Sequence, residues 1–295
     1  MTTLKQVTLP GQLADSLKIL NLPAEDYHQD IAVQSCSLLK PLLVSPAHYK
    51  AQFFESNSSS KAKDFGTLIH TLVLEPQAFA ARYAVYEGQK DGRDAEFKAF
   101  VKAHAGQTVI DDVSLQAAKR LTQKVLERRF RGRPFADYLA EGEKEVTIYF
   151  TDPATGVRCR VRVDLLHPEF VFDLKTALSV IQGEWLRQAL NLHYDLQSYM
   201  YSLAECLVAG REKPLPFVFI VGENSGPNSV SAYTAGESFI TKGGKKYQEA
   251  ISAYAACSKL DHWPDLGEEA VLELEHWMAA AANESVWRTN LGKGN

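Results

Sequence analysis

Apolar residues recur along this chain with two periods, and the changes between them lay out the expected elements. From Ser35 a helical spacing places Leu38, Leu39, Leu42 and Leu43 close to one face. Pro41 interrupts that run and Pro46 ends it, which predicts a short or kinked helix. The polar stretch 56–61 reads as a loop, 65–75 as a largely apolar helix ending at Pro76, and the charged, glycine-containing stretch 88–98 as a mobile surface loop. Between Ser114 and Phe130 an amphipathic helix turns Leu115, Ala118, Leu121 and Val125 inward. The period then drops to two. Val146, Ile148 and Phe150 alternate with Thr147 and Tyr149, and Asp152-Pro-Ala-Thr-Gly156 reads as a turn. Val157, Cys159, Val161, Val163 and Leu165 then alternate with Arg158, Arg160, Arg162 and Asp164, and a third run spans Phe170 to Lys175. These three runs predict an antiparallel meander.

A helix from about Trp185 to Cys206 follows, then an apolar strand at 216–221 and a second alternation at 228–234. A helix around 247–259 and a tail holding Trp263, Pro264 and Trp277 complete the chain. The pattern predicts an α/β fold with a central mixed β-sheet flanked by helices. The first thirty residues carry turn formers and few periodic apolars, so they are set apart as a partly ordered N-terminal segment before one domain over 31–295.

Composition narrows the picture modestly. Of 295 residues, 45% are hydrophobic and 23% charged, ample for a sizeable core and unlike a disordered chain. With 32 basic and 36 acidic residues the net charge is −4, so any contact with nucleic acid must come from a local basic patch. Cys36, Cys159, Cys206 and Cys257 form no CxxC pair, which argues against a zinc ribbon or finger and for buried reduced thiols. No secretory h-region follows the start, and no apolar run approaches the ~20 residues that span a bilayer. The cytoplasm of the producing cell, bacterial or phage-infected, is the expected location, with no membrane partner.

Asp173-Leu174-Lys175 carries the chemistry. Residues two apart on a strand share a face, so Asp173 and Lys175 project together while Leu174 enters the core. Asp164 lies near the end of the preceding strand, and a hairpin brings both carboxylates to one spot beside an ammonium. Two carboxylates held close repel and invite a hard cation such as Mg²⁺. A water made more acidic by such a cation and held by Lys175 could attack a phosphodiester. A surface Asp–Lys pair at a strand end is the bland alternative, and Asp-X-Lys alone is common. The neighbouring arginines have two readings, structural neutralisation of the acids or contact with DNA phosphates. His70 sits on an apolar helix, where a lone histidine is more often a satisfied core residue than a ligand; Gly66 and Thr67, one turn earlier, would let that helix approach the sheet. Arg187, Asn191, Tyr194, Gln197, Ser198 and Tyr201 recur at helical spacing, with Gln197 and Tyr201 one turn apart.

Taken in order, Gly66-Thr-Leu-Ile-His70, Asp164, Asp173-Leu-Lys175 and Gln197-Ser-Tyr-Met-Tyr201 resemble the RecB-type branch of the PD-(D/E)XK nucleases. The opening Ser35-Cys-Ser-Leu-Leu-Lys with Ser45-Pro-Ala-His-Tyr49, and the late Trp263-Pro264, are similar to the exodeoxyribonuclease VIII (RecE) nuclease domain and its phage relatives. The resemblance spans roughly 27–280 and implies a restriction-endonuclease-like core. It implies a 5′→3′ exonuclease that uses Mg²⁺, with Mn²⁺ as a substitute, acts on double-stranded DNA ends and leaves 3′ single strands for a recombination partner. It further implies a ring-shaped homo-oligomer and a single-strand annealing protein as partner. By the same resemblance His70, Asp164, Asp173 and the Leu174 carbonyl would ligate the metal, Lys175 would orient water, and Gln197 and Tyr201 would support the site. Arg160 and Arg162 are the expected substrate contacts. Val163-Asp164 stands where the family has Pro-Asp. Only Cys257 lies late in the chain, so no iron–sulfur cluster is expected. The rivals are an endonuclease or repair nuclease on the same fold, and a non-catalytic DNA-binding protein.

Overall fold

Period-two alternation in the middle of the chain becomes the centre of a sheet, and the amphipathic stretches on either side become helices laid on its two faces. The computed structural model describes residues 16–54, 61–88, 92–267 and 269. A strand, β1 (Ser16–Ile19), and four helices, α1 (Ala24–Gln29), α2 (Cys36–Leu39), α3 (Pro46–Ala51) and α4 (Lys61–Leu74), come first. They are followed by α5 (Phe79–Arg82), β2 (Tyr83–Tyr86), α6 (Ala95–Ala103), β3 (Thr108–Asp111) and α7 (Asp112–Glu127). Two short strands, β4 (Arg129–Phe130) and β5 (Arg133–Pro134), and α8 (Phe135–Glu141) lead to the long strands β6 (Glu143–Thr151), β7 (Arg158–His167) and β8 (Phe170–Ala177). The rest comprises α9 (Gln182–Asn191), α10 (Tyr194–Ala209), β9 (Phe217–Glu223), β10 (Val230–Thr234) and α11 (Glu237–Leu260).

The main sheet has the order β1-β6-β7-β8-β9-β10. The meander β6-β7-β8 is antiparallel, as its turns demand, while β8 and β9 run parallel across the α9–α10 crossover. Asp152 fixes the first turn by accepting from the Thr155 amide at 2.8 Å and its hydroxyl at 2.7 Å. One face of the sheet packs Ile148, Val161 and Val171 against Met200 of α10 and Ile251 of α11. The other packs Phe172, Leu174 and Ile220 against Leu68 and Ile69 of α4 and Leu121 of α7.

Several expectations shift. Two elements precede residue 30: β1 pairs with β6 at the sheet edge, and α1 follows it. The charged stretch 88–98 is not all loop, since Asp94 caps α6 by accepting from the Glu96 amide at 2.9 Å. The helix expected from Trp185 to Cys206 is two helices. His193 takes a left-handed φ of 54°, and the carbonyl of Leu192 receives Lys40 Nζ at 2.6 Å. The last helix begins ten residues before the expected Tyr247 and runs through Gly243 and Gly244, which local propensity reads as breakers. Strict alternation also fails once on β7: Val163 lies in the first core but Leu165 in the second. The loop assigned to 56–61 and the tail tryptophan Trp277 lie wholly or mostly outside the described residues. No described helix is long and apolar enough to cross a membrane.

Candidate active site

β8 presents Asp173 and Lys175 on one face, as its period requires, and the fold surrounds them differently. Asp173 is 1% exposed. Its Oδ1 accepts from Gln197 Nε2 at 2.6 Å, while Oδ2 lies 2.6 Å from Lys175 Nζ in an ion pair without hydrogen-bond geometry. Lys175 Nζ also sits 4.9 Å from the centroid of the Tyr194 ring, a cation–π contact at the start of α10. Burial opposes the charge on Lys175, yet the Asp173 and Asp164 carboxylates outweigh it and hold its pKa above the ordinary lysine value. The ammonium therefore stays charged across the physiological range. Lys175 lines an open cavity of about 880 Å³ together with His70, Glu145, Arg162, Leu178 and Tyr194, among others.

Asp164 reaches the same place from β7. Its Oδ2 accepts from the Leu174 amide at 2.7 Å, which ties the two strands together beyond the end of their ladder. α4 brings in His70: its Nε2 bonds to the Leu174 carbonyl at 2.7 Å and its Nδ1 lies 3.7 Å from Asp164 Oδ2. Gly66 permits this approach, since a Cβ there would stand 3.1 Å from Thr176 Oγ1. Burial, then Lys175, lowers the His70 pKa and keeps the ring neutral. Its Nε2 carries the proton, because a carbonyl can only accept.

Glu145 was not anticipated. It stands on β6 where the hairpin register would pair it with Asp164, but its φ of 52° interrupts the ladder there. One ligand atom each from His70, Glu145 and Asp164 lie within 4.8 Å of one another. The register was available in advance: counting back from the Asp152–Gly156 turn sets Glu145 opposite Asp164. Asp173 does not join that trio.

Three of the expected site residues are placed away from an open ligand or substrate position. Arg160 is 2% exposed, bonded through Nη1 to the carbonyls of Asp30 and Val33 (2.6 Å for Val33) and laid over the Tyr27 ring, so it fastens the N-terminal segment and presents no donor to a substrate. The Leu174 carbonyl faces His70 and receives its N–H at 2.7 Å, which occupies one of its two lone pairs. Tyr201 packs its ring against Phe217 at 6.3 Å, and its hydroxyl bonds to no described residue. Burial, then nearby Tyr27, raises its pKa well above the usual phenol value. Arg162 does line the cavity, with Nε bonded to Glu145 and Nη1 to the Leu22 carbonyl at 3.2 Å.

Burial, then Asp173, pushes the Asp164 carboxyl up to about 7. A carboxyl raised in the fold binds its proton more tightly there than in the unfolded chain. Its contribution is therefore full below about pH 4, the ordinary aspartate range, and is lost as pH rises toward about 7. In EDTA at pH 8, Asp164→Asn should consequently be more stable than the natural chain, by about 2 kcal/mol after halving the full linkage value for exposure and coupling. At pH 4.5 the two should nearly coincide. Urea unfolding followed by circular dichroism reads this, and a natural chain that is the more stable of the two at pH 8 would contradict it.

A meander that sets an acid on one strand and Asp-X-Lys on the next, with a parallel strand reached through helices, defines the PD-(D/E)XK nuclease superfamily. Within it, the chain belongs to the family described as "PDDEXK-like domain of unknown function (DUF3799)", whose model matches residues 35–274. Among solved structures, the chain is similar in fold to one described as a "Putative exonuclease" from Eubacterium rectale. The two share 13% identity at a TM-score of 0.57, covering 90% of this chain and 100% of that one. No curated protein matches the sequence.

Proposed function

We propose that this protein is a divalent-cation-dependent 5′→3′ exonuclease that hydrolyses phosphodiester bonds from the ends of double-stranded DNA and leaves 3′ single strands for recombination. The observation that carries the reading is the Lys175 ammonium, held charged between Asp173 and the Tyr194 ring at the wall of an open cavity, with Asp164 and His70 beside it.

The residues fit a hard cation. Asp173 Oδ2 is buried with only an ion-pair contact, and Asp164 and His70 Nδ1 offer lone pairs to a shared space. Asp164, Asp173 and His70 would hold Mg²⁺ or Mn²⁺, which supplies Lewis acidity toward the phosphate and acidifies a water. Gln197 fixes the rotamer of Asp173, and Asp173 fixes Lys175. Lys175 then orients the attacking water and offsets charge on the phosphate oxygen as the new P–O bond forms and the old one breaks. Arg162, which lines the cavity, is the proposed substrate contact. Tyr201 supports the strand under Asp173 through Phe217 rather than touching the reacting atoms.

The reading extends to a homo-oligomeric ring of single nuclease domains, to a single-strand annealing protein as the user of the product, and to action in the cytoplasm of a bacterial or phage-infected cell. A net charge of −4 suits a ring that gathers its basic residues around the duplex. Linear duplex labelled at one or other end, and closed circular duplex, incubated with and without Mg²⁺ or Mn²⁺, test the activity. Loss of the 5′ label first, with circles intact, is expected. Cutting of closed circles would make it an endonuclease, and no digestion with either cation would overturn catalysis.

A further inference from the structure

We propose that the outer face of α7 and the tip of the β4–β5 hairpin form a second DNA contact, outside the cavity, that grips the phosphate backbone of the uncut duplex. The choice of polymer rests on the nuclease reading; the surface itself follows from charge and geometry.

Between residues 119 and 133 stand seven lysines and arginines against one acid, Glu127, in a chain whose net charge is −4. Lys119, Arg120 and Lys124 lie on the exposed side of α7, opposite Leu115, Ala118, Leu121 and Val125, which face the core. Arg120, Lys124 and Arg128 follow one another every four residues, a rise of about 6 Å per step, so their charges form a line rather than a scatter. Glu127 is engaged by Gln123 Nε2 at 2.9 Å. None of the six exposed cations from Lys119 to Arg131 pairs with a carboxylate among the described residues, whereas Arg133 is bonded to Glu141 and close to Asp137.

The hairpin fixes two of these arginines in place. Phe130 is buried and meets Phe170 edge-on at 5.3 Å, and its carbonyl receives the Tyr138 hydroxyl at 3.0 Å, so the backbone beneath the arginines is anchored to the core. Phe130 pairs with Arg133, which leaves Arg131 and Gly132 as a two-residue turn with φ of 47° and 83°. Arg129 donates across that turn to the Gly132 carbonyl. A turn of this hand favours asparagine or glycine at its first central position, and an arginine held there at positive φ bears a conformational cost. The Arg131 guanidinium lies over the Phe170 ring, 4.8 Å from its centroid, with no hydrogen-bond partner among the described residues.

The line of charge starts beside the cavity. Lys124 Nζ donates to the Pro227 carbonyl at 2.5 Å, and Pro227 belongs to the loop between β9 and β10, whose Asn224 lines the cavity with Lys175. From there α7 carries the charges across to the hairpin beside Phe170, where β8 begins, roughly 17 Å along the strand before Lys175. What accompanies the charge decides the polymer. Grip on a phosphate backbone needs only cations at intervals. Tracks for single strands add exposed aromatic rings on which bases stack. The only aromatic residue from 112 to 134 is Phe130, and it is buried. A convex helix face without a stacking platform suits the outside of a duplex.

Fluorescence anisotropy of a labelled blunt-ended duplex with the EDTA-treated full chain, over a series of KCl concentrations, tests the surface without cleavage. Arg120→Gln/Arg128→Gln should weaken duplex binding by about tenfold or more and lower the salt slope by about two, one for each phosphate contact removed. Arg131→Asn should lower the slope by about one while melting no lower than the natural chain, because asparagine tolerates the left-handed turn. Lys242→Gln/Lys245→Gln, an equal loss of charge on the exposed side of α11, should leave binding within about twofold. Unchanged affinity and slope in the α7 and turn variants overturn the surface, and so does an equal loss in the α11 variant. Tighter binding of single strands than of duplex, lost in the same variants, overturns the duplex as occupant. The nuclease reading fails separately: a chain that digests no DNA with Mg²⁺ or Mn²⁺, yet loses duplex affinity with these arginines, keeps the surface and loses the enzyme.

Discussion

Lys175→Met is expected to slow phosphodiester hydrolysis by about 10³-fold, on the scale set by removing one preorganised charge-stabilising donor. The ammonium lies 2.6 Å from Asp173 Oδ2 and 4.9 Å from the Tyr194 ring centroid, while Lys40 Nζ, 5.3 Å from the same ring, is tied to the Leu192 carbonyl. The same substitution strips a 1%-exposed carboxylate of its counter-charge, and breaking such a pair from one side costs about 3 kcal/mol or more. Lost activity could then reflect a weakened fold, so the double variant Asp173→Asn/Lys175→Met separates the causes. With both charges gone, stability in EDTA should return to near that of the natural chain, while hydrolysis should remain lost. Single-turnover digestion of end-labelled duplex, paired with urea unfolding, measures both. A Lys175→Met protein digesting within tenfold of the natural rate would end the mechanism.

Gly243→Ala should destabilise the fold by about 3 kcal/mol, lowering the melting temperature by roughly 5–10 °C. A Cβ at residue 243 would stand 1.9 Å from the Asp195 carbonyl oxygen, 2.3 Å from its carbon and 2.9 Å from the Leu196 nitrogen. All three are backbone, so α10 and α11 must separate. Lys246 joins the same two helices close by, with a hydrogen bond to Asp195 Oδ1 at 3.0 Å and an ion-pair contact to Oδ2 at 2.8 Å. Shifting the first turn of α10 would also pull Gln197 from Asp173, so activity should fall with stability. Glycine to alanine inside a helix ordinarily stabilises by about 1 kcal/mol. Gly183→Ala in the first turn of α9, with nothing within 4 Å of its Cβ, should show part of that gain. Gly244→Ala meets the Tyr199 ring at 2.9 Å, a side chain that can give way, and should fall between. Thermal melting of the three variants checks the order, and a Gly243→Ala protein as stable as Gly183→Ala would refute the packing argument.

The site was partly legible because its centre lies on adjacent strands. Asp173 and Lys175 share a face by strand geometry alone, and the His167–Pro168 turn keeps Asp164 close. Gln197 was visible through helical spacing and meets Asp173 at 2.6 Å. Tyr201, one turn later, was grouped with it by the same spacing, but a turn of helix carried it about 6 Å along the axis, onto Phe217. Arg160 looked as available as Arg162 because alternation reports a face and not its cover. α1 and the segment to Gln34 close over Arg160, and no local pattern announces that.

Local order along the chain was enough to place β6 to β10, the meander, the inward face of α7, and the pairing of Asp173 with Lys175. Those follow from the 2.0 and 3.6 periods, which depend on each residue's own backbone and near neighbours. The tertiary structure alone decided the rest. The break at His193 is sealed by Lys40, more than 150 residues away; Gly243 is needed within α11 because the Asp195 backbone occupies the space a side chain would need; and Arg160 is covered by the carbonyls of Asp30 and Val33. Each depends on which distant segment lies opposite, and a one-dimensional pattern holds that information only once the pairing is known.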